Sequence, residues 1–366
     1  LVQSEDNCSV KKKLSDQLIA LNRTLKKKIW LKKIDHNTDS AQSADEEVNL
    51  VPGPIYTGKD GVTTWEMHCP PRNRRVGERN IIRFIPGVKQ VPRSASTPFQ
   101  CWKLFFTDTI IDEIVRHTNE KIEKVRPNYS RPRDAHNTTR TEMEAFIGLL
   151  YMAGVLRASH LNLFDLWSAD ETGVPYFRTC MNQIRFKFLV TVLRFDDSNT
   201  RQEHRNVDKL APIRSLFEQI VQKCSENFTV SEYVSIDEML ESFRGRCSFK
   251  QFIKTKPARY GIKVFSLACA KTFYTLNMEV YSGKQPEGPY QVDNSAKCVV
   301  NRMVQPISGS RRNVTTDNSF TSVPLADELL TTHKLALVGT LRKNKREVPP
   351  LFLQSRSSGH GGRVQG

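Results

Sequence analysis

Asp237 stands inside a segment, Tyr233 to Met239, in which Val234 and Ile236 alternate with polar residues. Alternation with period two is a strand pattern, and strands disfavour aspartate. A carboxylate half-buried in a strand is costly unless something positive meets it, and a divalent metal ion is one such partner. Directly after it come Arg244, Arg246, Lys250, Lys254, Lys256, Arg259 and Lys263, with no Asp or Glu between Glu241 and Glu279. A carboxylate beside an unbroken cationic run suits a metal ion and a phosphodiester. Each half of the pattern also has an ordinary explanation: a strand aspartate that faces solvent, and a basic run that is a solvated surface.

A second carboxylate, Asp317, closes the apolar segment Asn313 to Thr316. The elements that would position the two are legible from residue 231 onward. Strands are predicted at Tyr233 to Met239, Tyr260 to Ala268 and Tyr274 to Tyr281, with the basic stretch as the first connection. A helix follows over Ser295 to Val304, a strand over Asn313 to Thr316, a helix from Pro324 to Leu330 and a strand over Leu335 to Leu341. Three antiparallel strands followed by alternating helices and strands make a mixed sheet covered by helices. A right-handed crossover would lay the fourth strand parallel to the first, bringing Asp237 and Asp317 into one acidic pocket opposite a basic groove.

Two such carboxylates repel each other unless cations neutralise them. Two ions roughly 3.5–4 Å apart would activate water on one side of a phosphodiester and stabilise the leaving 3′ oxygen on the other. Mg²⁺ suits hard oxygen ligands. Asn318 either orients Asp317 by hydrogen bonding or caps the turn that follows. Asp327 and Glu328, on the next helix, read as surface residues.

Upstream, residues 99–230 read as one all-helical domain. Phe105, Ile110, Ile111, Ile114, Val115 and Ile122 define a helix, and Thr141-x-x-Glu144 makes a capping-box signature ahead of an apolar helix expected to be buried nearly all round. Further helices fit Asn182 to Leu193 and Asp208 to Phe228. Residues 1–98 are expected to be largely disordered. Within them a basic amphipathic helix fits 10–34, an acidic linker runs from Asp35 to Glu47, and Arg72, Arg74, Arg75, Arg79 and Arg83 make either an extended arm along a phosphate backbone or a basic loop.

The formal net charge is +16 at pH 7 over 366 residues, which favours a polyanionic partner. No membrane partner is expected, because the longest apolar run, Phe146 to Leu156, is too short to span a bilayer. Eight cysteines without a Cys-x-x-Cys pair indicate free thiols rather than a zinc ribbon or a disulfide framework.

Three segments, SIDEMLESFRGRCSFKQFIKTKPARYGIK, NVTTDNSFTSVPLADELL and LALVGTLRKNKREVP, occur in that order and at a spacing that resembles the piggyBac transposases. CWKLFFTDTIIDEIVRHTN and RFKFLVTVLRFDD resemble the helical DNA-binding and dimerisation region of the same family. The resemblance covers roughly residues 99 to 350. It implies an α+β multidomain fold: a helical DNA-binding and dimerisation domain at 99–230, an incomplete RNase H-like core of the DDE type at 231–348, and a disordered tail at 349–366. It further implies Mg²⁺-dependent DNA strand cleavage and joining with two ions, transposon ends and TTAA targets as DNA partners, a homodimer, and action in the nucleus. By position, Asp237 resembles the family's first catalytic aspartate and metal ligand, and Asp317 its second.

The family's third catalytic aspartate and its cysteine-rich zinc domain have no counterpart, and no Asp or Glu follows Glu347. With Leu at position 1 and a polar ending, this suggests a fragment, a frameshifted copy or an incomplete gene model. The expectation is therefore a transposase or transposon-derived protein that is inactive in this form. The alternative is a non-catalytic DNA-binding or dimerisation partner derived from a transposase.

Overall fold

The computed structural model describes residues 55–66, 81–82, 84–158, 161–170 and 173–353. The helix read at 10–34, the acidic linker, the arginines of the arm from Arg72 to Arg83, and the tail from 354 lie outside the described residues. The chain divides into a larger unit, of residues 77–315 and 328–336, and a smaller one, of residues up to 76, 316–327 and from 337 on.

In the smaller unit, β1 (Ile55–Thr57) pairs antiparallel with β2 (Thr64–Glu66). Asp60 closes the loop between them by accepting the amides of Val62 and Thr63 at 3.1 and 3.0 Å. The hairpin rests on the segment around residues 346–352. Trp65 Nε1 donates to the Glu347 carbonyl at 2.7 Å, the Asp60 amide donates to the Arg346 carbonyl at 3.0 Å, and Phe352 lies edge-on to Tyr56 at 5.2 Å. Residues 55–66 are thus ordered where composition suggested no order. The physical reason is a partner nearly 300 residues away along the chain.

The larger unit opens with β3 (Gly87–Val88), paired antiparallel with β4 (Phe228–Thr229). Its helices are α1 (Pro98–Lys103), α2 (Asp108–Val125), α3 (Arg140–Val155), α4 (Leu163–Trp167), α5 (Pro175–Cys180), α6 (Gln183–Val192), α7 (Arg201–Val207) and α8 (Arg214–Asn227). Ile111, Ile122, Met143, Phe146, Phe177 and Leu189 are fully buried among them and form one core. Where the helices begin is decided by caps. Thr97 starts α1 with a capping box through Gln100, and Thr107 starts α2 by accepting the Ile110 amide, so the single helix expected across Phe105 is broken between two caps.

Three further expectations are corrected by the same layer. α3 is capped by Thr139, which accepts the Glu142 amide at 3.3 Å, not by Thr141. Thr139-x-x-Glu142 and Thr141-x-x-Glu144 both fit a capping box, but the Glu142 carboxylate is taken by Thr138 and Arg185 instead. α3 is also not buried all round: Met143, Phe146 and Leu149 are, whereas Tyr151 and Val155 are exposed. Finally, the helix expected from Asp208 starts only at Arg214. The Asp208 carboxylate accepts the Leu210 amide at 2.9 Å and fixes a turn there.

The sheet is built from β5 (Tyr233–Ser242), β6 (Gln251–Phe252), β7 (Tyr260–Cys269), β8 (Thr275–Val280), β9 (Asn313–Thr316) and β10 (Ala336–Gly339), in the order β10-β9-β5-β7-β6 with β8 also paired to β7. β5, β7 and β8 form the antiparallel meander that alternation predicted, and β9 neighbours β5. β6 was not anticipated; it is a two-residue strand inside the basic connection, paired with Tyr260 and Gly261. α9 (Ala296–Met303) packs on β7 and β8, burying Val299, Val300 and Met303, and α10 (Val323–Thr331) precedes β10.

Candidate nucleic-acid and metal site

Asp237 lies in the middle of β5, directly opposite Ser266 of β7. Its flanking residues on the chain, Ile236 and Glu238, point to the other face, where Val234 and Ile236 are buried. The carboxylate itself is exposed, not half-buried as expected. Desolvation therefore does not make it costly, and the reason to read it as a ligand is its accessibility. Oδ1 accepts the Glu238 amide at 2.8 Å, and Oδ2 meets no donor among the described residues.

The basic connection leaves β5 at Ser242 and returns at Tyr260. Its root is tight: a Cβ on Gly261 would fall 2.2 Å from the Glu241 carbonyl oxygen, so the strands approach there only because residue 261 has no side chain. The seven cations of this stretch divide into two groups. Lys250 donates to the Gly245 carbonyl at 3.2 Å, Lys256 to the Glu238 carbonyl at 3.1 Å, and Lys263 lies 4.7 Å over the Phe265 ring. Arg244, Arg246, Lys254 and Arg259 are exposed and have no acidic partner among the described residues. Arg259 also holds a left-handed backbone, φ 50°, at the turn into β7.

Asp317 belongs to the smaller unit, immediately after β9. It is exposed and held in a local turn: Oδ1 accepts the Ser319 amide at 2.9 Å and the Ser319 hydroxyl at 2.6 Å, while Oδ2 meets no donor among the described residues. Thr321 Oγ1 donates to the Asp317 carbonyl at 2.6 Å. Asn318, read as the residue that could orient the carboxylate, makes no side-chain hydrogen bond among the described residues; Ser319 orients it instead. An aspartate followed two residues later by serine is a local-turn signature, so the signal was present in the sequence. Gly339 on β10 leaves room for this turn, since a Cβ there would meet Thr321 Oγ1 at 2.2 Å.

Two other features were not anticipated. Lys256 Nζ lies 3.6 Å from the Glu238 carboxylate, so the residue after Asp237 anchors the basic connection to its own strand. Arg312 is buried and donates through Nε and Nη2 to the Val230 carbonyl, at 3.2 and 2.8 Å, tying the start of the sheet to β9. Burial lowers its pKa. Glu328 ion-pairs with Lys297 at 2.6 Å and accepts from Asn301 at 2.9 Å, consistent with a structural role.

The donor chemistry fits a hard divalent ion as far as it goes. Asp237 and Asp317 each offer an exposed carboxylate oxygen without a protein donor among the described residues, and Mg²⁺ is commonly bound through one or two carboxylates while keeping several waters. Among the described residues no group of three or more His, Cys, Asp or Glu gathers in a way that could hold a metal. No helix among them is long and apolar enough to cross a membrane, and the six described cysteines, Cys101, Cys180, Cys224, Cys247, Cys269 and Cys298, are free.

Comparison with known proteins gives a consistent result. A family model described as Transposase IS4, of the DDE class, matches residues 97–365. Human PiggyBac transposable element-derived protein 3 is similar at 26% identity over 344 residues, covering 87% of this chain and 54% of that protein. Human PiggyBac transposable element-derived protein 2 is similar at 23% identity over 272 residues, covering 73% of this chain and 43% of that protein. The chain spans about half the length of these curated relatives. Among solved structures, the cryo-EM structure of a piggyBac transposase synaptic complex with hairpin DNA matches with a TM-score of 0.70 at 36% identity, covering 75% of this chain and 57% of that one.

Proposed function

We propose, from the premise that this chain belongs to the piggyBac family of DDE-type transposases, that it grips DNA through the β5–β7 connection and presents Asp237 and Asp317 as two carboxylates of an RNase H-like core. The observation that carries this reading is the set of four exposed cations, Arg244, Arg246, Lys254 and Arg259, without acidic neighbours among the described residues, on the connection that begins five residues after Asp237. Four uncompensated charges on one short loop repel one another, and a phosphate backbone removes that repulsion. The arginines can each take a phosphate by two parallel hydrogen bonds, and Lys254 can meet one as a point charge.

In this reading the cations fix the phosphodiester in register, and the free Oδ2 atoms of Asp237 and Asp317 face it as oxygen ligands. The strand order, with β9 beside β5, supports their acting together. Bound Mg²⁺ supplies Lewis acidity, lowering the pKa of water and offsetting charge on the leaving 3′ oxygen. Ser319 keeps the Asp317 carboxylate turned outward, and the Glu238–Lys256 pair keeps the loop beside the strand. By family, the DNA partners are transposon ends and TTAA targets, the working form is a dimer, and the compartment is the nucleus.

The test uses the 366-residue chain and a labelled DNA duplex, with affinity measured over a salt series. The logarithm of affinity falls linearly with that of salt, and changing Arg244, Arg246, Lys254 and Arg259 together to Ala makes the slope shallower by about 3 to 4, near 0.9 for each phosphate no longer neutralised. An unchanged slope in a variant that melts at the wild-type temperature overturns the assignment. For the carboxylates, Mn²⁺ binding followed by electron paramagnetic resonance is expected to be weak and to weaken further in Asp237→Asn and in Asp317→Asn. These 366 residues alone are expected to bind DNA without cutting it, since two family carboxylates are identified in them and not three. Nicking that depends on Mg²⁺ and is lost in Asp317→Asn overturns that expectation.

A further inference from the structure

The helical layer carries a second cationic concavity, separate from the β5–β7 connection. Residues Arg126–Asn128 and Pro132–Ala135 form two short 3-10 turns after α2, and together with α6 they enclose a hollow of about 530 Å³. Arg131, Arg133 and Lys187 line it. All three are exposed. Arg131 has no acidic partner among the described residues, and Lys187 has none either, its Nζ lying 4.4 Å over the Phe164 ring. Arg133 reaches a carboxylate only at 4.0 Å, from Nε to Asp134 Oδ1, with three quarters of its side chain exposed.

Neighbouring arginines on the same elements behave differently. Arg126 donates to the Glu123 carboxylate at 2.7 Å, and Arg185 makes two bonds to Glu142 at 2.7 and 2.6 Å. The same two side chains also fix the backbone of the hollow, because Arg126 Nε donates to the Ala135 carbonyl and Arg185 Nη1 to the His136 carbonyl, both at 3.0 Å. The framework arginines are neutralised and the lining cations are not. Three cations held around one hollow by a braced loop repel one another, and an anionic partner relieves this. Tyr129, set edge-on against Phe188 at 5.3 Å and 39% exposed, adds an aromatic face on which a sugar or base can lie.

We infer that this hollow is a second DNA-contact surface, in which Arg131, Arg133 and Lys187 meet backbone phosphates of DNA held by the same chain. The inference rests on the reading that the chain binds DNA, and it adds a surface remote in sequence from the β5–β7 connection. Asp134 at the rim offsets one of the three positive charges, which limits the expected effect. Changing Arg131, Arg133 and Lys187 together to Ala, in the full chain, makes the salt slope of duplex binding shallower by about 2 to 3. Arg131→Lys with Arg133→Lys keeps the charges and the wild-type slope, which separates phosphate contact from loss of folding. The two surfaces act additively when the triple variant is combined with the alanine variant of the β5–β7 connection.

A triple variant with the wild-type slope and melting temperature overturns the inference while leaving the first surface intact. Wild-type chain that binds no duplex at low salt overturns both. Loss of poly-glutamate binding in the triple variant with unchanged DNA binding also overturns it, and assigns the hollow to an acidic protein instead.

Discussion

The helical layer and the β5–β7 connection are both rich in cations, but they treat them oppositely. In the helical layer Arg140 donates to Asp112 at 2.7 Å, Arg185 pairs with Glu142, and Arg214 meets both Asp208 and Glu218. In the connection Arg244, Arg246, Lys254 and Arg259 meet no carboxylate among the described residues. The difference teaches that a net charge of +16 says little about where an anion will sit. A cation already bonded to a carboxylate supports the fold and has little left to offer a phosphate, whereas an exposed cation without a partner contributes to binding and hardly to stability. Removing a cation or its partner should therefore lower stability in the first region and DNA affinity in the second.

The largest stability effect is expected at Asp208, which is 2% exposed. Its carboxylate accepts from Arg214 Nη2 at 2.8 Å, Gln285 Nε2 at 2.7 Å and the Leu210 amide at 2.9 Å, so it joins the start of α8 to the loop after β8. Asp208→Ala leaves a buried amide and part of a guanidinium without an acceptor, and is expected to cost roughly 3 kcal/mol. A denaturant melt checks this, and the destabilisation should change little with salt because the pair is largely shielded from solvent. A cost under about 1 kcal/mol would erase the contrast between the two regions.

Acid should expose the same contrast with a smaller effect. Burial by itself would raise the Asp208 carboxyl, but hydrogen bonds from Arg214, Leu210 and Gln285 outweigh it and hold the group below the usual carboxylate range. Glu142 is likewise held low, by Arg185 and Thr138 against its burial. A carboxylate whose folded pKa is lowered stabilises fully above its unfolded value, near about 4, and that stability is lost as the pH falls through the folded value. The melting temperature should therefore drop steeply below about pH 4. Asp208→Asn, less stable at neutral pH, should show a flatter acid limb.

How much of this was legible in sequence depends on whether a feature is set locally. β5 and β7 alternate strictly, and one face of each is buried, so their extent and pairing could be read from Val234, Ile236, Val264 and Leu267. Asp237 and Asp317 stood out because each is a carboxylate within or at the end of such a strand. The hairpin at 55–66 was not legible, since Trp65 and Tyr56 are ordered by Glu347 and Phe352 from the far end of the chain. The start of α3 was ambiguous because two threonines fit one capping pattern, and the choice depends on Arg185, 43 residues beyond Glu142. Which cations are paired is a tertiary property of the same kind: seven in a row looked alike, and contacts to Gly245, Glu238 and the Phe265 ring set three of them apart.

The smallest change, at Arg259, separates the two roles of a charged residue most cleanly. Arg259 sits at φ 50°, where its amide donates to the Lys256 carbonyl at 3.0 Å and its own carbonyl accepts the Ile253 amide at 2.8 Å. Both bonds belong to the backbone and survive loss of the side chain. A non-glycine residue in the left-handed region carries local strain, which glycine relieves, while glycine's extra freedom in the unfolded chain offsets part of that gain. Arg259→Gly is therefore expected to keep or raise stability by a few tenths of a kcal/mol, and to make the salt slope of DNA binding shallower by about 0.9. Arg259→Ala keeps the strain and loses the charge, so it should match the glycine variant in DNA binding and fall below it in stability. If instead both variants bind DNA as tightly as wild type, Arg259 meets no phosphate, and the connection grips the duplex through Arg244, Arg246 and Lys254 alone.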